Sequence, residues 1–186
     1  MGYVGIVFIV IVCCALAVAC VKTAPDGSGP VDASGTARDP GKLLSIGDAA
    51  PPFLAVDEAG NEVRLADFEG RKGVVLIFYP GNETPGCTAQ LCAARDSWGV
   101  FEAANVAVLG VNPASAESHA AFRKNHRFPF PLIADGDGAV TRAYGARGPL
   151  GIVKRTVYGI DKSGAIVFAR RGSPDSREIL SAFKGD

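Results

Sequence analysis

The sequence predicts a mixed α/β domain, one central sheet with both parallel and antiparallel pairing, flanked by helices. Three observations carry this expectation. Residues 74–79 and 106–111 are continuous apolar, β-branched runs of strand length, the pattern of strands buried on both faces. Each is followed by a helical pattern, the usual connection between parallel strands. Two later runs are separated only by Asp161-Lys162-Ser163-Gly164, a hairpin turn, so the last pair is antiparallel.

The elements follow in order. Residues 62–65 come after Ala59-Gly60-Asn61, which marks a hairpin turn. Residues 74–79 form the first buried strand, and residues 80–86 a loop rich in breakers. Pro85 suits a first helical turn, where its missing N–H is no loss, and Thr84 before it suits an N-cap. Residues 87 to about 104 read as one helix, and residues 106–111 as the second buried strand. Residues 115 to about 126 form an amphipathic helix, with Ser115 and Glu117-Ser118 as start signals. Residues 132–134 are a short strand and 139–144 a short helix. Residues 155–160 and 165–169 are the hairpin strands, and 175–183 a closing helix. This is the element order of a thioredoxin-like fold.

The two ends of the chain differ in kind. Residues 2–21 carry no charge and are long enough to span a bilayer. They also suit a signal peptide, residues 1–20. The run ends Ala17-Val18-Ala19-Cys20, which resembles a bacterial lipobox with Cys20 as the lipidated residue. No Lys or Arg precedes the run, and Ala17 stands where Leu is commonest, so an uncleaved anchor helix remains the alternative. N-myristoylation fits less well, because Ile6 stands where its pattern has Ser or Thr. Either reading tethers the chain to a membrane, and a lipoprotein would sit on the extracytoplasmic, periplasmic side. Residues 21–42 are a linker: from Lys22 to Lys42, Gly, Pro and Ser supply 9 of 21 residues, too little apolar surface to offset ordering entropy. The folded domain is expected over residues 43–186. Lys and Arg together number 19, as do Asp and Glu, a balance that argues against nucleic-acid binding. Five cysteines in 186 residues are too few for a disulfide scaffold.

The chemistry concentrates in residues 80–92. This stretch follows a buried strand and opens a helix, where ligand sites gather in open α/β sheets. Cys87 in the first helical turn feels the positive end of the macrodipole and free N–H groups, which favour thiolate over thiol. It is placed like an activated nucleophile. A buried inert cysteine is the bland alternative, and the breaker-rich loop argues against it.

Pro80, Thr84 and Cys87 match the PxxxTxxC pattern of the peroxiredoxins, and Thr84-Pro85-Gly86-Cys87 with Cys92 five residues on resembles the bacterioferritin-comigratory/peroxiredoxin Q subfamily. The resemblance runs from about Ile46 to the C-terminus. It takes in Arg95-Asp96, Gly110-Val111, Phe128-Pro129-Phe130, Ala143-Tyr144-Gly145 and Lys154-Arg155-Thr156. Asn112-Pro113 departs from the usual Ser-x, and Trp98 in the first helix is a second departure.

The resemblance implies a thiol peroxidase that takes hydrogen peroxide and organic hydroperoxides, uses a thioredoxin-like reductant, and needs no cofactor or metal. Cys87 would be the peroxidatic nucleophile and Cys92 the resolving cysteine, joined as a Cys87–Cys92 disulfide. Arg155 would hold the thiolate and stabilise the developing oxyanion. Thr84 would hydrogen-bond thiolate and peroxide, Pro80 would shield the sulfur, and Gly86 would offer a backbone donor. The expected assembly is a monomer or weak dimer.

Two other functions use the same fold. A membrane-tethered copper chaperone pairs cysteines with three residues between them and adds a distant His, whereas four residues intervene between Cys87 and Cys92 and Arg155 is no ligand. A disulfide oxidoreductase needs C-x-x-C, which the chain lacks. His119 and His126 are about 10 Å apart along a helix, too far to share a metal, and read as ordinary helix residues. Asp135-Gly136-Asp137-Gly138 lacks the later acidic ligands of a calcium loop and reads as a turn.

Overall fold

The computed structural model describes residue 39 and residues 41–183. Cys20, the apolar run and nearly all of the linker lie outside the described residues, and the lipidation and anchoring expectations fall there with them.

Five strands form the central sheet: β3 (Gly73–Phe78), β4 (Val106–Asn112), β5 (Leu132–Ala134), β6 (Thr156–Ile160) and β7 (Ile166–Arg171). Their order is β5-β4-β3-β6-β7, with β3, β4 and β5 parallel and β6 and β7 antiparallel to their neighbours. This is the expected thioredoxin-like mixed sheet. A separate hairpin pairs β1 (Leu54–Val56) with β2 (Glu62–Arg64). Its turn is closed by Asp57, whose carboxylate accepts the N–H groups of Ala59 at 2.9 Å and Asn61 at 2.8 Å. Leu65, expected as a strand end, begins a short 3-10 turn instead. It lies almost fully buried in the core.

Every residue of β3 is buried, and the strand's alternation divides the core between two faces. Val75, Ile77 and Tyr79 pack with α1 (Pro85–Asp96), α2 (Trp98–Ala103), α3 (Ala116–His126) and α5 (Ser176–Ser181), through Leu91, Phe101, Phe122 and Ile179. Val74, Leu76 and Phe78 pack with α4 (Ala139–Ala143) and the segment before β1, through Val140, Tyr144 and Leu44. Full burial of such side chains is worth about 1.5–3 kcal/mol each.

The helix expected over residues 87–104 is two helices. Ser97 interrupts it at φ −95°, ψ 7°. Ser and Gly are weak helix formers, and Ser97 and Gly99 flank the break. The change of direction sets Trp98 6.1 Å from Phe130, and Phe101 is fully buried on the sheet. The start of α3 is as the sequence indicates, with Ser115 Oγ accepting the Ser118 N–H at 3.3 Å. The acidic segment before α4 is a turn, in which Asp135 is buried and accepts the N–H groups of Val140 at 3.0 Å and Thr141 at 2.8 Å.

Two glycines seat Phe183. A Cβ on Gly73 would stand 2.7 Å from Phe183, and one on Gly159 would stand 2.9 Å from it. Both strands therefore stay bare where the Phe183 ring lies. At the other end, the Gly41 carbonyl accepts from Arg171 Nη2 at 2.9 Å, so the chain is bound to the domain from there on.

Candidate active site

Tyr79 is fully buried at the end of β3, and the chain then turns outward through residues 80–84 into α1. Pro85 occupies the first helical position, and the Thr88 N–H donates to the Thr84 carbonyl at 2.9 Å. The Gly86 and Cys87 N–H groups precede this bond and have no partner within the helix. Cys87 is a free thiol, fully buried and packed in the core face that holds Tyr79 and Leu91.

The β3–β6 register brings Arg155 to it. Phe78 pairs with Thr156, so the residue before Thr156 lies beside the loop after Phe78. Arg155 Nη2 is 3.3 Å from Cys87 Sγ, and Nη1 donates to the Gly86 carbonyl at 2.8 Å and to Ser173 Oγ at 3.2 Å. This places a fixed positive charge beside the sulfur. Ser173, which the sequence reading did not single out, holds the arginine from β7's far end.

Thr84 and Pro80 lie in the loop that leads to Cys87. Thr84 stands at the N-cap position of α1, but its hydroxyl does not cap the helix. Oγ1 donates to the Gly81 carbonyl at 3.3 Å. A hydroxyl has one hydrogen to donate, so Thr84 here closes the loop on itself rather than bonding the thiol. Pro80 is exposed at the mouth of the loop.

Cys92 is a second free thiol, partly buried and five residues along α1. Arg95 lies beside it. Asp96, and more weakly Cys92, hold the Arg95 guanidinium above its ordinary pKa.

Behind the loop lies a polar group that the sequence reading missed. Asn82 Oδ1 accepts from Tyr79 Oη at 3.0 Å and from Asn112 Nδ2 at 2.9 Å, and Asn82 Nδ2 donates to Ser118 Oγ at 2.9 Å. His119 Nδ1 lies 3.4 Å from both Asn82 Nδ2 and Tyr79 Oη. His126 Nε2 lies 2.9 Å from the Glu83 carboxylate. The two histidines are therefore not ordinary helix residues: both face the cysteine loop. Burial, with the charge of Cys87 adding, pushes the Tyr79 hydroxyl well above its usual pKa, so it stays a donor. Burial also holds His119 below its usual value of 6.5. Its Nε2 makes no hydrogen bond of good geometry, although the main chain of Asn112 and Ile133 lies close.

A cavity of about 340 Å³ opens between α1 and α5, lined by Gly86, Gln90, Ser173 and Ile179 among others. Among the described residues, no three His, Cys, Asp or Glu side chains gather as a metal site. The copper-chaperone alternative finds no donor set there, and the Arg155 guanidinium lies 3.3 Å from the Cys87 sulfur.

The AhpC/TSA family pattern matches residues 46–169. A putative peroxiredoxin of Mycobacterium tuberculosis is 43% identical over 124 residues, 67% of this chain and 78% of that protein. The chloroplastic peroxiredoxin Q of Sedum lineare is 42% identical over 125 residues, 66% of this chain and 67% of its own. Among solved structures, peroxidoxin BcpB of M. tuberculosis superposes with a TM-score of 0.71 at 30% identity, covering 76% of this chain and 97% of that one. PrxQ of Xylella fastidiosa superposes with a TM-score of 0.70 at 27% identity, covering 77% and 98%. A thiol beside a guanidinium at a helix start, on a sheet shared with these proteins, completes the case: the chain belongs to the AhpC/TSA family, in its peroxiredoxin Q and bacterioferritin-comigratory branch, and is a thiol peroxidase.

Proposed function

We propose that Cys87 is the peroxidatic cysteine and Cys92 the resolving cysteine, with hydrogen peroxide or an organic hydroperoxide as oxidant and a thioredoxin-like dithiol as reductant. The observation that carries this reading is the Arg155 guanidinium 3.3 Å from the Cys87 sulfur at the start of α1.

In the first step the Cys87 thiolate attacks one peroxide oxygen. An S–O bond forms and the O–O bond breaks. Its electron pair leaves on the second oxygen, which takes a proton and departs as water or an alcohol. Arg155 and the unpaired N–H groups of Gly86 and Cys87 face the charge as it develops, where fixed donors act most strongly. Sulfur is left as sulfenic acid. In the second step Cys92 sulfur attacks the sulfenic sulfur, water leaves and the disulfide forms. A dithiol then returns two electrons and two protons.

The second step needs movement. Cys87 and Cys92 share one unbroken helix. Five residues rise about 7.5 Å and turn about 140°, whereas a disulfide wants Cα atoms about 4.4–6.8 Å apart. The first turn of α1 must therefore unwind before the bond closes.

The test is stopped-flow peroxide oxidation with a dithiol donor. Cys87→Ser abolishes turnover. Cys92→Ser leaves sulfenic acid formation intact and blocks recycling. Arg155→Ala slows the first step about 100-fold, the scale of losing one oxyanion donor. A first step indifferent to Arg155 would remove that residue from the site.

A further inference from the structure

The loop before Cys87 is tied to α3 at two successive residues. Asn82 uses both ends of its carboxamide: it accepts from Tyr79 and Asn112 and donates to Ser118. Those partners come from the end of β3, from β4 and from α3. The Asn82 amide, a donor, faces His119 Nδ1, whereas the single hydrogen of the Tyr79 hydroxyl goes to Asn82 Oδ1. That places the ring proton on Nε2 and makes Nδ1 an acceptor.

Glu83 is the second tie. It has φ +55°, the left-handed region, which a residue with a Cβ enters only at a cost. Such a conformation persists where the surroundings hold it. Here its carboxylate accepts from Asn125 Nδ2 at 3.1 Å and sits 2.9 Å from His126 Nε2. Residues 82 and 83 are thus gripped by Ser118 and His119 near the start of α3, and by Asn125 and His126 at its end. Cys87 lies four residues beyond Glu83, fully buried.

We propose that α3 is a clamp on the cysteine loop, with Asn82 and His119 as positioning residues. Closed, the clamp keeps Cys87 buried beside Arg155. Opened, it lets the loop relax and frees the first turn of α1, so that Cys87 can reach Cys92. The clamp sets the balance between attack on peroxide and closure of the disulfide. This rests on the cysteine roles proposed above.

The experiment uses the full chain and two readouts. Hydrogen exchange on the reduced protein reads the clamp without any peroxide chemistry. Stopped-flow fluorescence of Trp98, the single tryptophan, which packs on the core face near Cys92, reads the two chemical steps. Asn82→Ala should speed exchange over residues 80–88, slow attack and accelerate disulfide closure. Each change should be about 10- to 100-fold, since three hydrogen bonds of roughly 1 kcal/mol each are lost. Asn82→Asp, which keeps the acceptor, should recover part of the attack rate. Ser118→Ala, at an exposed position, should move both steps in the same directions with the fold untouched. It stands in if Asn82→Ala does not fold. Opposite shifts of the two steps support the clamp, because general loosening of the protein slows both. Unchanged exchange and unchanged steps in Ser118→Ala and Glu83→Gln overturn it. A wild-type chain whose Cys87 is not oxidised by peroxide, but whose loop exchange still rises in Asn82→Ala, fails the cysteine reading and leaves the clamp standing.

Discussion

Gly86 makes room for the guanidinium that reaches Cys87. A Cβ there would lie 3.1 Å from Arg155 Nη2 and 3.2 Å from Nη1. That is close enough to move the guanidinium by a few tenths of an ångström, and its bonds to Cys87 and Gly86 depend on where it sits. Gly86 is exposed and lies in the first turn of α1, so alanine there favours the helix by roughly 0.5–1 kcal/mol. Gly86→Ala is therefore expected to raise the melting temperature and to slow peroxide attack. Thermal unfolding and single-turnover oxidation measure the two effects separately. A variant that gains stability with no loss of rate would show that Arg155 adapts freely. At this scale Cys87 and the Thr84 cap position were named from their local pattern, and Gly86 through the family resemblance. Ser173 and Asn82 were not, because an isolated Ser or Asn reads the same in any loop until its partners are placed.

On the proposed mechanism helix α1 has two incompatible tasks. Wound, it holds the buried Cys87 thiol beside Arg155. Unwound at its first turn, it would let Cys87 and Cys92, five residues apart, come together. Mass spectrometry should find a Cys87–Cys92 disulfide after one equivalent of peroxide. Hydrogen exchange should then show residues 86–94 losing protection while β3, buried along its whole length, keeps it. Retained protection over residues 86–94 in the disulfide form would mean that the bond closes without unwinding. The break at Ser97 matters to this change. Because α2 is a separate helix anchored by the fully buried Phe101, unwinding at the start of α1 need not pull on the core beyond Asp96.

For the whole molecule, the buried His119 links stability to pH. Its folded pKa lies below the ordinary value of 6.5, chiefly through burial. Above that ordinary value neither the folded nor the unfolded state holds the proton, and the stabilisation is complete. As pH falls below about 6.5 the unfolded chain takes up the proton first, so stability declines until the depressed folded pKa is passed. The wild type is expected to lose stability between pH 7 and pH 5, and His119→Gln to show a flatter curve over that window. Denaturant melts at each pH decide it. Glu83, held low by its bond to His126, adds its own pH dependence only below its ordinary 4.5, outside that window. Equal slopes in the two proteins would assign the pH dependence to other groups.

The sheet's strands, the cysteine loop and the placement of Cys87 at a helix start were legible in the chain, because each is written in neighbouring residues. Apolar runs show a buried strand, and Pro85 before Gly86 and Cys87 shows where a helix opens. Arg155 was named only through a family resemblance; its contact with Cys87 spans 68 residues and follows from the pairing of Phe78 with Thr156. The same holds for His119, which read as an ordinary helix residue until folding set it 37 residues back in sequence, against Asn82. It holds too for Gly73 and Gly159, which make sense only once Phe183 lies across them. Periodicity and local preference act over a few residues. Register and the burial of polar groups are settled by which distant surfaces pack, and no short stretch of sequence contains both partners.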